Sequence, residues 1–594
     1  MTDSESKLIS PQKAKTGANS KPIIIWRVRL IQVSLLLFFC LILGKTLYLQ
    51  IFQAKDLKKT ALNQKRLSNL TTIFRGEITD CKGVALAIDT ARFNVILRPS
   101  NYKASIGQTE QLSKILGITE ERIDTLRNTK NKFVKLASFL SREKADEIAK
   151  LRIAGLQLDP VNSREYPHGK LAAHLLGFVS WDSSGQAGIE QVLNKELTNA
   201  KNESSKVFMR GDGQPLIKYA SLKPIINSSF GQQVELTIDS KLQYKIEQIL
   251  DSGIKEFKAQ RGTAIVLNPK NGEIMAWANS PSYDPNFYGH YSPAQTVNWA
   301  ISQIYEPGST FKVLTVASAL NLGIIKTDYK YIDEGKIKIG NKVIYNHDYK
   351  AGKVKEIDLA QLFRFSSNTG AADIGLKMKP EKFYEQLKKF GIGEKTGIEI
   401  PGESGGVLKD YKTWREIDIA TTSFGQGSVA VTPLQLASSI GVIANHGEWV
   451  QPHIIKSIRS ADGSKSIKQT KIIKRKVISS RVANNVSDLL AQSIKDNLEQ
   501  DITYMAGEIP NYEVAGKTGT AQKYCPKIGH YCPGETIASF IGYFPAQKPE
   551  FLILVVIDTP KEAGGWGNTV AGPIFNRIGE TLVNMYPDRL SKIH

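Results

Sequence analysis

The chain has 594 residues, which is too long for one ordinary hydrophobic core and predicts at least two folded domains. Hydrophobic residues make up 41% and charged residues 23%, a composition that excludes a largely disordered chain. The net charge of +21 is spread along the chain without a zinc-finger or RNA-binding signature, so we predict a solvated basic surface and no nucleic-acid partner. Four cysteines are too few for a disulfide scaffold, so the core must rest on apolar burial.

The amino-terminal region divides into a polar tail and an apolar stretch. Residues 1–22 are polar and contain lysines without any periodicity, and we interpret them as a disordered cytoplasmic tail. Residues 23–52 are predicted to form a transmembrane helix with its flanks, because the apolar part over residues 30–51 approaches the roughly 20 residues that a bilayer core requires.

A cleaved signal peptide is the alternative to this anchor. No small-x-small cleavage pattern follows the apolar stretch, and Trp26 and Tyr48 lie where interfacial aromatic residues belong, so we favour a permanent helix. The basic tail, together with Arg27 and Arg29, predicts a cytoplasmic amino terminus and places the rest of the chain outside the inner membrane, which in a Gram-negative cell is the periplasm.

Two folded regions follow the anchor. Residues 55–230 mix strand-like runs with helical stretches and contain no catalytic constellation, which predicts an α+β domain. Residues 231–594 open with a strand, a helix and a β-hairpin whose turn is at residues 268–272, which predicts an α/β domain. The chain has no internal repeat.

The segment around Ser309 carries the strongest chemical signal. Pro307-Gly308 breaks a helix and a buried-looking helical run starts at Val313, so Ser309 is predicted to lie at a helix start. Its hydroxyl and Lys312 then share one helical face. Apolar neighbours would desolvate the Lys312 amine, which lowers its pKa and lets it act as a base toward the serine.

Neither the S-x-x-K pair nor the K-T-G triplet is specific by itself, since both recur in this chain. A disordered tail, a solvated helix face or a Gly-rich turn explains the other copies. Examples of these copies are Ser4/Lys7, Ser10/Lys13, Ser141/Lys144, Lys15-Thr16-Gly17 and Lys395-Thr396-Gly397.

The order and context of three elements make the pattern specific. Ser309 and Lys312 open a helix, Ser366-Ser367-Asn368 follows in a polar break before another helix, and Lys517-Thr518-Gly519 heads a strand. That strand is predicted to be an edge strand against which a peptide can align. Serine acyl transferases, including penicillin-binding proteins, carry these three elements in this order, with S-S-N here in place of S-D-N.

With these motifs in place, the chain resembles the monofunctional class B penicillin-binding proteins over nearly everything after the tail. The resemblance implies a single amino-terminal transmembrane helix, an α+β pedestal of the dimerisation type over residues 55–230 and an α/β transpeptidase domain over residues 231–594. The latter would be β-lactamase-like, with an antiparallel sheet flanked by helices. His174 and Glu190 lie in pedestal-like segments, and we interpret both as packing or hydrogen-bonding residues. The segments that carry the likeness outside the three motifs are residues 75–80, 164–167, 172–177, 185–190, 423–427 and 432–436.

The resemblance also implies a mechanism. Ser309 would attack the penultimate carbonyl of a stem peptide ending in D-Ala-D-Ala, with Lys312 as base and Ser366 relaying a proton to the leaving D-Ala. Backbone N–H groups of Ser309 and Thr520 would form the oxyanion hole. Asn368 would hydrogen-bond the substrate amide, and Lys517 would set the local electrostatic potential. The terminal carboxylate would be bound by Thr518, Gly519 and Thr520. No metal or organic cofactor is implied.

The implied partners are peptidoglycan stem peptides as donor and amine acceptor, β-lactams and the membrane. Residues 539–545 and 556–567 resemble division-type enzymes, which implies septal synthesis beside a multi-span glycan polymerase of the SEDS type and other division proteins. The alternatives are an elongation-type transpeptidase, a D,D-carboxypeptidase or other hydrolase of the same fold, a bifunctional enzyme and a purely structural scaffold.

Two cysteines lie close together after the third motif. Cys525 and Cys532 are seven residues apart, and an oxidising compartment predicts that they form a disulfide. His530 between them permits zinc binding as an alternative, but three ligands in one short loop make a poorer site.

Overall fold

The computed structural model describes residues 22–51, 53, 74–198, 230–350, 354–501, 504–525 and 528–591. The chain separates into two compact units, one of Met1–Thr71 with Ser204–Asn227 and the other of Thr72–Glu203 with Ser228–His594. The tail predicted over residues 1–22 lies, apart from its last residue, outside the described part.

The described part of the first unit is a helix over Pro22–Ile51. At 30 residues it is about 45 Å long, which exceeds the thickness of a bilayer core of about 30 Å. Its segment Arg29–Tyr48 has a mean hydropathy of 2.1 and no buried residues, so its length and composition suit a membrane span. The helix predicted over residues 23–52 is confirmed.

The second unit contains a seven-stranded sheet built from distant parts of the chain. Ile78–Thr79 pairs in parallel with Gln233–Leu236, which pairs antiparallel with Ile455–Arg459. The long strand Ala85–Leu97 continues the sheet and pairs antiparallel with Ile78–Thr79. The remaining strands are Val134–Leu140 and Leu156–Glu165, both against Ala85–Leu97, and Ser466–Gln469 at the opposite edge. Strands from both sides of residues 230 and 231 therefore share one sheet, and a domain boundary there stays a prediction.

Three capped helices cover the outer part of this sheet. Ile106–Leu116, Glu120–Arg127 and Arg142–Lys150 each begin after a Ser or Thr whose side chain accepts a hydrogen bond from the first turn. Leu112 and Ile123 from two of these helices pack on Val95 of the long strand and are fully buried.

A buried ion cluster ties the segments of this region together. Glu190, which has no exposed surface, accepts from Arg75 Nε and, at 2.7 Å, from Arg164 Nε. Arg164 also lies 3.1 Å from Asp89. His174 is buried too, with Nε2 2.9 Å from the Gln295 carbonyl oxygen, and burial lowers the pKa of His174 to about 4. Both side chains therefore pack and hydrogen-bond as the sequence predicted.

A five-stranded antiparallel sheet forms the centre of the carboxy-terminal half. Its order is Ala515–Cys525, His530–Phe544, Phe551–Asp558, Arg261–Leu267 and Ile274–Ser280, so Ala515–Cys525 is an edge strand as predicted. The hairpin predicted around residues 268–272 joins the last two strands.

Helices cover both faces of this sheet because its strands are apolar on both sides. In Phe551–Asp558, Leu552, Leu554 and Val556 face the core that includes helices Lys312–Asn321 and Pro433–Ala444. The alternate residues of the strand face the helices Ser240–Glu256 and Gly572–Met585. The layers are therefore helix, sheet and helix.

Apart from the helix Ser480–Gln500, which has 21 residues, the remaining described elements are short. The other helices are Ala173–Leu176, Gly188–Val192, Asn194–Thr198, Pro293–Thr296, Trp299–Ser302, Leu359–Arg364, Asn368–Lys377, Pro380–Lys389, Glu416–Ser423, Ser480–Gln500 and Pro587–Ser591. Tight helical turns are at Pro99–Asn101, Pro285–His290, Gly308–Phe311, Tyr411–Thr413 and Ala563–Gly565. A wider, π-helical turn is at Gly567–Ala571. Two-stranded pairs are Lys330–Asp333 with Lys355–Asp358, Lys336–Ile339 with Lys342–Tyr345, Val407–Leu408 with Val429–Ala430, and Glu448–Val450 with Lys474–Lys476.

Candidate active site

Ser309 lies in a tight turn that precedes a buried helix. The turn Gly308–Phe311 leads directly into the helix Lys312–Asn321, whose residues are almost all buried. Gly308 has a φ of +58°, and a Cβ there would come 3.0 Å from the Thr520 carbonyl oxygen of the edge strand. The close approach of strand and turn therefore requires glycine at this position.

A second glycine packs against the other side of the turn. Gly425 accepts a hydrogen bond of 3.0 Å from Gly308 N, and a Cβ on Gly425 would lie 2.3 Å from the Gly308 carbonyl oxygen. The Ser309 turn is thus held between the edge strand and the segment at residues 423–427, and Ser309 itself stays partly exposed.

The Lys312 amine lies at the centre of the three motifs. Its Nζ is 3.0 Å from Ser309 Oγ, 3.1 Å from Ser366 Oγ and 2.8 Å from Asn368 Oδ1, and it also contacts the Ser366 carbonyl oxygen at 2.5 Å. The side chain has no exposed surface. Burial, reinforced by the charge of Lys517 and opposed by Asp333, holds the pKa of Lys312 well below its usual range.

The partners of Lys312 fit a neutral amine. The Ser366 carbonyl and Asn368 Oδ1 can only accept, so they take up two N–H groups. A neutral amine then has one lone pair left, which the Ser309 hydroxyl can reach. The arrangement can therefore remove a proton from Ser309.

The middle motif occupies a break between two helices. Ser366 adopts a left-handed conformation with a φ of +53°, which an L-residue rarely takes. Ser367 is fully buried and caps the helix Asn368–Lys377 by accepting from Gly370 N at 2.9 Å. This cap turns the Ser366 and Asn368 side chains toward Lys312.

Sequence reasoning missed two residues that support this motif. Asp333 accepts from Ser367 Oγ at 2.6 Å, and Asn346 accepts from Asn368 N at 2.8 Å. Asn346 Nδ2 donates to Asp333. No sequence signal marks them, because they lie 34 and 22 residues before their partners in two different strand-and-loop segments.

The third motif heads the edge strand. Thr518 and Thr520 are partly exposed on one face, while Lys517 and Gly519 are buried. A Cβ on Gly519 would meet Thr310 Cγ2 at 2.8 Å, so glycine lets the strand lie against the Ser309 turn. Burial lowers the pKa of Lys517 to about 7.

An aromatic pair from separate segments lies beside the motifs. The rings of His347 and Trp566 are 6.1 Å apart. Gly567, next to Trp566, donates its N–H to Thr520 Oγ1 at 3.0 Å. Burial lowers the pKa of His347, and the charges of Lys312 and Lys517 add to this shift. The sequence alone did not identify this pair.

The recurring motif copies have other structural roles. Ser141 caps the helix Arg142–Lys150 in the amino-terminal region. Thr396 binds Glu403 through its N–H at 2.7 Å in a loop, and Gly397 binds the same carboxylate at 3.1 Å. The copies in residues 1–21 lie outside the described part.

The hairpin after the third motif reaches back to the Ser309 turn. Cys525 and Cys532 form the predicted disulfide, with Cα atoms 5.2 Å apart. The two strands continue as far as this disulfide, since Tyr524 pairs with Tyr531 across the hairpin. The Tyr531 hydroxyl donates to Glu306 Oε2 at 2.9 Å, and Glu306 lies three residues before Ser309 in the chain.

Comparisons with known proteins agree with this architecture. A family model described as the penicillin binding protein transpeptidase domain matches residues 262–580, and one described as the penicillin-binding protein dimerisation domain matches residues 72–225. The peptidoglycan D,D-transpeptidase FtsI homolog of Mesostigma viride is 31% identical, over 96% of this chain and 97% of its own length. The peptidoglycan D,D-transpeptidase FtsI of Escherichia coli (strain K12) is 30% identical, over 98% of this chain and 96% of its own length. The crystal structure of penicillin binding protein 3 from Mycobacterium tuberculosis with aztreonam is 25% identical with a TM-score of 0.67, and the match covers 87% of this chain and 97% of that one.

Proposed function

Because the chain belongs to the class B penicillin-binding proteins and is a serine-type peptidoglycan D,D-transpeptidase, we propose that it cross-links stem peptides through an acyl-enzyme on Ser309. The observation that carries the assignment of Ser309 is its contact of 3.0 Å with a fully buried lysine amine. The Ser309/Lys312 copy of S-x-x-K contacts the middle motif through Lys312, and its turn lies against the third motif.

Acylation follows from this contact. The Lys312 lone pair takes the proton of Ser309 as Oγ forms a bond to the penultimate D-Ala carbonyl carbon. The oxyanion that develops is stabilised by the backbone N–H groups of Ser309 and Thr520. Collapse breaks the peptide C–N bond, and the proton passes through Ser366 to the leaving D-Ala nitrogen. An acceptor amine then attacks the ester and restores Ser309.

The other motif residues hold the donor peptide. Asn368 hydrogen-bonds the substrate amide, and Lys517 supplies positive potential near the terminal carboxylate. Thr518, Gly519 and Thr520 bind that carboxylate along the exposed face of the edge strand, where the alternation of burial leaves both hydroxyls accessible.

β-Lactams test the assignment, because the family binds them and their strained carbonyl is opened by the same attack. Incubation of the detergent-solubilised full-length chain with penicillin should add one drug mass to the peptide that carries Ser309. Ser309→Ala should abolish the adduct, and Lys312→Ala should slow its formation by about 100-fold or more through loss of the base. Mass spectrometry after proteolysis provides the measurement.

The recurring motifs provide matched controls for this experiment. Ser141→Ala and Lys395→Ala remove the same residue types from copies outside the site, and both variants should be acylated at the wild-type rate. An adduct that maps elsewhere, or that forms normally without Lys312, would contradict the mechanism.

Septal synthesis is the cellular role that we propose, beside a multi-span SEDS-type glycan polymerase and other division proteins. The likeness to FtsI proteins over nearly the whole length of both chains supports it. Depletion of the protein should block septation and give filamentous cells, whereas rounded cells would indicate an elongation role. A Ser309→Ala copy should fail to restore division.

The protein is a single-pass membrane protein whose apolar helix includes Arg29–Tyr48. Its proposed placement is the inner membrane, with the amino terminus in the cytoplasm and the catalytic region in the periplasm. The basic residues Arg27 and Arg29 at the amino-terminal end of the helix support this orientation.

A further inference from the structure

The middle motif lacks a carboxylate that the related S-D-N motif carries at its second position, where this chain has Ser367. We propose that Asp333 is a positioning residue of the transpeptidation reaction, and that it supplies this carboxylate to the motif from a neighbouring strand. The inference rests on the proposed function, since it concerns how Lys312 and Asn368 are held for acylation of Ser309.

The Asp333 carboxylate is buried and fully hydrogen-bonded. It is 9% exposed and ends the strand Lys330–Asp333. One oxygen accepts from Ser367 Oγ at 2.6 Å, and the other accepts from Thr369 Oγ1 at 2.8 Å and from Gly335 N at 2.8 Å. Asn346 Nδ2 donates to both oxygens, at 3.0 and 2.9 Å. Four groups thus converge on this carboxylate, and both of its oxygens are committed to hydrogen bonds.

Asn346 links the Asp333 carboxylate to the backbone of the middle motif by hydrogen bonds on both sides. Its Nδ2 is committed to Asp333, so its Oδ1 must face the opposite way. There Oδ1 accepts from Asn368 N at 2.8 Å and from Thr369 N at 3.1 Å, the first N–H groups of the helix Asn368–Lys377. The carboxylate thereby sets both the cap and the start of this helix.

The ordered backbone aims the motif side chains at Lys312. Asn368 Oδ1 accepts from Lys312 Nζ at 2.8 Å, and the strained Ser366 presents both its hydroxyl and its carbonyl to the same amine. A left-handed serine persists only where its surroundings hold it on both sides. Ser367, hydrogen-bonded to Asp333, supplies that hold on the carboxy-terminal side.

Asp333 also contributes charge to the pocket. The charged and titratable groups that act on Lys312 among the described residues are Lys517, which lowers its pKa, and Asp333, which raises it. His347 shares the pocket, since the charges of Lys312 and Lys517 act on it, and its own neighbour is Asp348. Loss of the Asp333 charge therefore leaves Lys517 unopposed and lowers the pKa of Lys312.

A carboxylate swap tests the inference. We would compare Asp333→Asn, Ser367→Asp and the double variant in full-length protein, and measure the penicillin acylation rate between pH 5 and 9. Asp333→Asn should acylate about 10- to 100-fold more slowly, because small displacements of reacting groups cost rates of this order. The acidic side of its pH–rate profile, where the rate rises with pH, should move to lower pH because Lys312 becomes neutral more readily.

Ser367→Asp should shift the pH–rate profile in the opposite direction, and the double variant should partly restore the acylation rate. Ser367→Asp places a second carboxylate beside the first, so its acid limb should move to higher pH. In the double variant the carboxylate introduced at position 367 can still cap the helix, and the amide introduced at position 333 can donate to it. The double variant should therefore recover at least half of the decrease in the logarithm of the acylation rate that Asp333→Asn causes. The acidic side of its pH–rate profile should return toward the wild-type position.

Asp80→Asn is the matched control. Asp80 is also a buried carboxylate bound to a serine, accepting from Ser240 Oγ at 2.6 Å, but it lies outside the motifs. This variant should lose stability to unfolding without a shift of the pH profile. The same behaviour in Asp333→Asn, or a double variant no better than the single one, would overturn the inference. Failure of wild-type protein to acylate Ser309 would instead contradict the proposed function.

Discussion

Lys312 shows how residue-scale surroundings create reactivity. The amine is buried among the Ser309 hydroxyl, the Ser366 hydroxyl and carbonyl, and the Asn368 side-chain oxygen. None of these neighbours carries a negative charge, so the ammonium form gains little compensation for its lost hydration. Burial therefore dominates its lowered pKa, and the nearby Lys517 adds to the effect.

The two lysines should give acylation a bell-shaped pH dependence. Lys312 must be neutral to take the proton of Ser309, so the rate should rise with pH through its pKa. Lys517 must be cationic to supply potential, and burial lowers its pKa to about 7, so the rate should fall with a midpoint near that value. The rate of labelling by a fluorescent penicillin, followed over pH in full-length protein, provides the measurement.

Lys517→Arg distinguishes the two limbs. A guanidinium stays charged throughout this range, so the alkaline limb should disappear while the acid limb stays in place. The maximal rate should fall, since the bulkier group cannot occupy the buried position equally well. Persistence of the alkaline limb in this variant would assign it to a different group.

At the scale of elements, the edge strand Ala515–Cys525 connects the site to the hairpin beyond it. Its first half lies against the Ser309 turn, where Gly519 permits the approach. Its second half continues to the disulfide, and Tyr531 of the returning strand binds Glu306. Glu306 also accepts from Gly427 N at 3.0 Å, so one carboxylate joins the hairpin, the Ser309 turn and the segment at residues 423–427.

The disulfide should be detectable and should stabilise this hairpin. Unfolded, unreduced protein should show two reactive thiols, from Cys40 and Cys81, and four after reduction. Closure of so short a loop is worth about 2.5 kcal/mol in the chain-entropy model, so reduction should make the hairpin more sensitive to proteolysis.

A Cys525→Ser/Cys532→Ser variant separates the disulfide from other effects of the reductant. It should match the proteolysis of reduced wild-type protein and should not respond to reductant. Four reactive thiols in the unreduced wild-type protein would refute the pairing.

At the scale of the whole molecule, the catalytic half and the amino-terminal region share a sheet. Gln233–Leu236 lies between Ile78–Thr79 and Ile455–Arg459, which are about 155 and 220 residues away along the chain. Glu235 adds contacts across this joint, accepting from Lys456 Nζ at 2.8 Å and from Arg459. The shared sheet joins the two regions, which belong to one compact unit.

The orientation across the membrane gives a whole-molecule prediction. A reporter that is active only outside the cytoplasm, fused after His594, should be active, because one span with a basic flank places the rest of the chain outside. A reporter that is active only in the cytoplasm should be inactive at the same position. The reverse pattern would contradict the proposed orientation.

The sequence by itself determined the features that depend on local pattern. The apolar run predicted the helix Pro22–Ile51, and the breaker pair before a helical run placed Ser309 and Lys312 at a helix start. The three motifs in order also determined the family and the reaction, since each motif is a short segment whose residue types its chemistry requires.

Only the tertiary structure decided the features that depend on residues distant in the chain. The contact of Lys312 with Ser366 and the support of the middle motif by Asp333 arise where separate segments pack together. Strand pairing between Gln233–Leu236 and Ile78–Thr79 is equally non-local. No local periodicity records such contacts, because desolvation and hydrogen bonding depend on which segments meet in space and not on their order in the chain.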